Sequence, residues 1–132
     1  MAQTNIGTTG RGTAILSRDQ LQLTNIVRLP TGRGMAASFQ NLTLVNIYVP
    51  SGAERREREQ FLASEVPYLL QGIPTSLVMG GNFNSVLSNA DLTGHTNYSR
   101  TLQELIRGYD LVDMWETARG QATYTHYTSR GA

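Results

Sequence analysis

The segment Leu42-Thr43-Leu44-Val45-Asn46-Ile47-Tyr48-Val49 constrains the fold more than any other part of the chain. It is rich in β-branched and aromatic residues, which fit a pleated, half-buried surface. Gln40-Asn41 before it is a candidate tight hairpin, and Pro50-Ser51-Gly52 ends it. A strand this apolar needs neighbours. Thr13–Ser17, Gln22–Leu29 and Met35–Phe39 supply three β-like segments upstream, with Pro30-Thr31-Gly32-Arg33-Gly34 as a turn cluster. Residues 1–12 are small, polar and Gly-rich and read as a loop or frayed end.

The pattern changes after Gly52. A charged run, Glu54 to Gln60, precedes Phe61, Leu62, Val66, Leu69 and Leu70, which line one helical face. Glu54 with Arg58, or Arg55 with Glu59, can pair across one turn of a solvated helix start. Pro67 is expected to kink or restart that helix. Ser76-Leu77-Val78-Met79 reads as a short buried strand and Gly80-Gly81-Asn82-Phe83-Asn84 as a loop. A second helix is expected near 99–109, where Thr101 and Glu104 have capping-box spacing and Leu102, Leu105, Ile106 and Tyr109 form a face. Leu111–Trp115 is expected to pack inward, and Ala122–Thr128 alternates like a strand. Strands alone, then strands alternating with helices, indicate a mixed α/β domain of more than one layer.

Composition removes several chemistries. The chain has 132 residues, enough for one domain, and a net charge of +1, so any nucleic-acid contact must be local. It has no cysteine, which excludes disulfides, thiolate zinc and a cysteine nucleophile. All eleven basic residues are arginine, so Schiff-base and P-loop lysine chemistry are absent. Gly7-Thr8-Thr9-Gly10-Arg11-Gly12-Thr13 has Walker A glycine spacing without the lysine and reads as a lead-in to a strand. His95 and His126 lack a nucleophile-elbow context. The sequons at Asn41 and Asn97 read as chance. No apolar run is long enough to span a membrane, and no secretory leader is expected.

Three polar blocks stand at the ends of expected strands: Asn46-Ile47-Tyr48-Val49-Pro50-Ser51-Gly52, Gly80-Gly81-Asn82-Phe83-Asn84 and Tyr124-Thr125. They can converge at one sheet edge, where side-chain amides and a phenol offer hydrogen bonds to a phosphate. Asp91, Asp110 and Asp113 each have a local reading, in a loop, at a helix end and at a cap.

The strings NIYVPSG, LVMGGNFNSVLSNADLTG, LVDMWE and YTHYTSRGA, in this order and with a charged helix between the first two, resemble the endonuclease/exonuclease/phosphatase superfamily. Within it the chain is similar to the apurinic-type endonuclease domain of non-LTR (LINE-type) retrotransposons, from about Gly10 to the end. The resemblance implies an α+β fold, the deoxyribonuclease-I-like four-layer α/β sandwich, as a single domain over 1–132 with residues 1–11 flexible. It implies magnesium-dependent hydrolysis of a DNA phosphodiester, nicking the target of a retrotransposon. The parent polyprotein would carry a reverse transcriptase and act inside the cell, in the nucleus. By the same resemblance Tyr48 hydrogen-bonds the phosphate, Asn84 contacts the phosphate or transition state, and Thr125 lies close to the site.

Asn82 stands where the family has its catalytic aspartate, and an amide there cannot serve as a proton acceptor for water. The family's early asparagine and metal-binding glutamate would lie upstream of Gly10–Leu16, and its Arg-x-Asp and Ser-Asp-His motifs would follow Ala132. No metal ligand is identified. The expectation is therefore a domain incomplete at both ends and catalytically inactive. The alternative is a non-enzymatic remnant that binds DNA or a protein partner through the same strand ends. A third reading, a separate hydrolase, would recruit Asp91 or Asp113.

Overall fold

A computed structural model describes residues 2–6, 12–18, 21–51, 55–72, 76–85 and 99–114. Two sheets are present among them. The larger orders β3 (Thr24–Arg28), β4 (Gly34–Phe39), β5 (Leu42–Tyr48) and β6 (Ser76–Asn82) side by side. The smaller is an antiparallel pair, β1 (Ala2–Ile6) with β2 (Gly12–Leu16). The chain is thus mixed α/β, with antiparallel pairs β3–β4 and β4–β5 and a parallel pair β5–β6.

The register of the large sheet follows from the Gln40-Asn41 turn. Gln40 takes a positive φ of 53°, as the first central residue of a primed hairpin turn does. Phe39 then faces Leu42, and the pairing continues outward to Gly34 and Ile47. Alternation divides the side chains between two faces. Thr43, Val45 and Ile47 of β5 are buried on one face, with Ala36 of β4 beside Val45. Met35 and Ala37 are buried on the other.

The first face receives the helical layer. Helix α1 (Arg55–Gln60) runs through a π-helical stretch, Phe61–Glu65, into α2 (Val66–Leu70). Phe61, Leu62, Val66, Leu69 and Leu70 join Val45, Ile47 and Val49 in one core, with Leu102 and Leu105 of α3 (Arg100–Gly108). Burying such side chains contributes about 1.5–3 kcal/mol each. Gly34 permits the close approach of this layer, since a Cβ there would lie 2.8 Å from Leu69 Cδ1 and 2.9 Å from Leu29 Cδ1. The second face carries β2, tied on by Asn46 Nδ2 donating to the Ala14 carbonyl at 2.8 Å. Thr13 Oγ1 donates to the Gly32 carbonyl at 3.2 Å, and Arg28 Nε to the Thr4 carbonyl at 2.7 Å.

Several expectations need correction. Ala2–Ile6, within the stretch read as irregular, is a strand; its backbone pairs with β2 across a Gly-rich connection. Pro67 does restart the helix, as expected: it stands in the first turn of α2, after a π-helical stretch in which the Val66 N–H donates to the Phe61 carbonyl. Arg58 is not on a solvated face but 1% exposed, with Nε 3.3 Å from Glu59 Oε2. The cap of α3 is Ser99 and not Thr101: Ser99 Oγ accepts from Leu102 N–H at 3.0 Å. Glu104 instead meets Arg100 one turn back, at 3.3 Å on the surface. Strand β6 is not buried throughout: Leu77 and Met79 pack against the core while Val78, on the other face, is 53% exposed. Leu111 packs inward but Val112 and Met114 are exposed. Trp115 and the expected strand Ala122–Thr128 lie outside the described residues.

Ser99 couples the two helical segments, because its hydroxyl also donates to Glu59 Oε2 at 2.7 Å. Ser99→Ala removes the cap and leaves that partly buried carboxylate contact unmade. We expect a loss of about 1–2 kcal/mol, measured by urea denaturation, with Thr101→Ala close to neutral. Equal, small effects of both substitutions would place the cap elsewhere.

Candidate functional site

Strands β5 and β6 end together. Their parallel register sets Tyr48 beside Asn82, and the Val49 N–H donates to the Asn82 carbonyl at 2.9 Å. Paired residues of a parallel ladder share a face, so Tyr48 and Asn82 stand with Asn46 on the face away from the helices. The chain then turns sharply. Phe83 packs against the core, and Asn84 adopts a left-handed φ of 47°, which asparagine tolerates better than most residues. The Asn84 N–H donates to Asn82 Oδ1 at 3.1 Å, a local side-chain-to-backbone turn. Asn84 Nδ2 reaches back to the Val49 carbonyl at 2.7 Å. Tyr48, Asn82 and Asn84 are therefore gathered at one strand end, whereas Thr125 lies outside the described residues.

The two glycines of Gly80-Gly81-Asn82 are not equivalent. A Cβ on Gly81 would stand 2.0 Å from the Ile47 carbonyl oxygen and 2.9 Å from Asn46 Oδ1, and its φ is +131°. A Cβ on Gly80 would meet nothing within 4 Å. Only the second glycine is needed for β6 to lie against β5 at the site. The stretch read as a loop is strand as far as Asn82.

Arg33 is the residue that the sequence did not single out. It is half-buried in the turn before β4. Its carbonyl accepts from the Tyr48 N–H at 2.7 Å, and its Nη1 donates to the Tyr48 carbonyl at 3.2 Å. Its guanidinium carbon stands 5.1 Å from the centroid of the Tyr48 ring, within cation–π range. The pairing around Gln40-Asn41, counted outward, reaches Arg33 and Tyr48 together, and that was the available signal. Glu65, on the helical segment, has its carboxyl raised above the usual range by burial, an effect partly offset by the Arg33 charge.

The donors at this strand end are neutral amides and a phenol. A magnesium ion is held through carboxylates and substrate oxygens, so Tyr48, Asn82 and Asn84 do not fit one, and no step is drawn through a metal here. Among the described residues no group of three His, Cys, Asp or Glu side chains gathers anywhere. Asp110 and Asp113 follow α3, the first exposed and the second half-buried, and Asp91, His95 and His126 lie outside the described residues. A hollow of about 210 Å³ between the helices, lined by Leu62, Pro67, Thr101, Leu105 and Tyr109 among others, contains none of the site residues. No described helix is long and apolar enough to cross a membrane.

The geometry separates two neighbouring substitutions. Gly81→Ala should lower stability by more than about 3 kcal/mol, since both contact and backbone conformation are refused. Gly80→Ala should fall within about 0.5 kcal/mol of the parent or stabilise it slightly. Thermal unfolding of both proteins checks this. Equal tolerance at the two positions would contradict the strand pairing. No protein-family model matches the chain, and no curated protein matches it.

Proposed function

We propose that this chain binds the sugar–phosphate backbone of DNA at the Tyr48–Asn82–Asn84 strand end and does not cleave it. The observation that carries this is the β5–β6 register, which brings a phenol and two amides to one sheet edge. Phenol O–H and amide N–H groups donate to phosphate oxygens without adding charge. The motif order in the sequence, and a sheet covered by helices on one face and by β2 on the other, support a deoxyribonuclease-I-like sandwich derived from a retrotransposon endonuclease. Under that reading the ancestral reaction was magnesium-dependent nicking, and Asn82 marks its loss. Asparagine keeps the hydrogen bond that orders Asn84 but offers neither a proton acceptor for water nor charge for a cation. A second reading, a surface for a protein partner, draws on Leu16 and Val78, apolar side chains that are 77% and 53% exposed.

Two measurements decide. In fluorescence anisotropy with a short DNA duplex, we expect saturable binding that weakens only modestly with salt, because the three donors are neutral. Tyr48→Phe should weaken it about tenfold or more, in the range of one hydrogen bond to a charged group, about 1.5 kcal/mol or more. In a supercoiled-plasmid assay with magnesium, the parent and Asn82→Asp should both leave the plasmid intact, because one restored carboxylate holds the ion weakly. Chelator-sensitive nicking by Asn82→Asp would show a complete hydrolytic site. Absent DNA binding, with concentration-dependent association in light scattering, would favour the protein-partner reading.

A further inference from the structure

We infer that Arg33 is the cationic member of the strand-end site, stacked on Tyr48 so that guanidinium and phenol face one phosphate. The inference rests on the phosphate-binding reading above and adds a residue and a charge to it.

Arg33 and Tyr48 are joined three times: through a main-chain bond at 2.7 Å, an Nη1 bond to the Tyr48 carbonyl at 3.2 Å, and the ring contact at 5.1 Å. These contacts fix the guanidinium over the ring. Because the phenol oxygen is bonded to that ring, the cation and the hydroxyl are carried on one stacked pair. Both side chains are half-buried and so keep some access to solvent. A planar guanidinium has five N–H donors, and phosphate is the anion its fork geometry suits. The neutral donors of Asn82 and Asn84 can orient a phosphate, whereas a nearby fixed cation gives the site an electrostatic reason to prefer one. Glu65 also faces Arg33 from the helix side: burial raises its carboxyl above the usual range and the Arg33 charge pulls it back down.

A residue that only braces Tyr48 and a residue that also faces phosphate differ in one observable. Each phosphate neutralised by a cationic side chain contributes about 0.9 to the slope of log affinity against log salt. The test measures binding of the full chain to duplex DNA across a salt series for the parent, Arg33→Gln, Arg33→Lys and Tyr48→Phe. Arg33→Gln should bind about tenfold more weakly and lose about 0.9 of the slope. Arg33→Lys should keep the slope yet bind a few-fold more weakly, since an ammonium cannot stack flat on the ring while donating to the carbonyl. Tyr48→Phe should leave the slope unchanged. If Arg33→Gln does not fold, Arg33→Met, which keeps an apolar stem over the ring, replaces it. Weakened binding with an unchanged slope in these charge-removing variants overturns the inference and leaves the phosphate reading standing. Parent binding without salt dependence likewise overturns the inference alone, and a parent that does not bind DNA overturns both.

Discussion

The hydrogen bond from Val49 N–H to the Asn82 carbonyl, last in the parallel pairing of β5 with β6, sets the rest of the molecule in place. Side chains along a strand alternate between faces, so a slip of one residue would carry Leu77 and Met79 from the helix-covered core to the opposite face. Gly81 reinforces that register sterically, because no larger residue fits against the Ile47 carbonyl. The turn at Phe83–Asn84 then has one way to close, with the Asn84 amide on the Val49 carbonyl. Core packing and site geometry are therefore consequences of the same ladder.

The chemistry of the proposed site follows from what stands at the end of that ladder. An aspartate beside Tyr48 would bring charge and a proton acceptor, while asparagine brings hydrogen bonds alone. A site of this kind holds a phosphate through direction more than through charge, and the proposed role of Arg33 adds one positive charge from a neighbouring turn. The same residue ties the turn before β4 to the end of β5, so binding and local architecture share a side chain.

Much of this was legible in the sequence, and the limits have physical causes. The strand Leu42–Tyr48 was visible because its β-branched run is long, and the two-residue turn before it fixes every β4–β5 pair. The helix from Arg55 to Leu70 was visible through its apolar face, yet its π-helical stretch was not, since periodicity does not distinguish a widened turn beside a proline. Arg58 reads as surface in any charge pattern, but contact with Glu59, which also accepts from Ser99, makes burial tolerable. Thr101 with Glu104 has capping-box spacing, but Ser99 is the residue with extended backbone where a cap must sit. At the site, Tyr48, Asn82 and Asn84 were chosen by motif position and the structure places them together, while Arg33 was missed because its contact with Tyr48 depends on hairpin register. Thr125 stays a sequence-level candidate outside the described residues.

The strand-end geometry depends on which carbonyl receives the Val49 N–H. Scalar coupling across hydrogen bonds, measured by NMR on a uniformly ¹⁵N,¹³C-labelled chain, reads this directly. The predicted result is a correlation between the Val49 amide nitrogen and the Asn82 carbonyl carbon, accompanied by Tyr48–Asn82 cross-strand contacts. A correlation from Val49 to Gly80 or to Phe83, or none to β6, would mean a different register. Tyr48 and Asn82 would then not share a strand end.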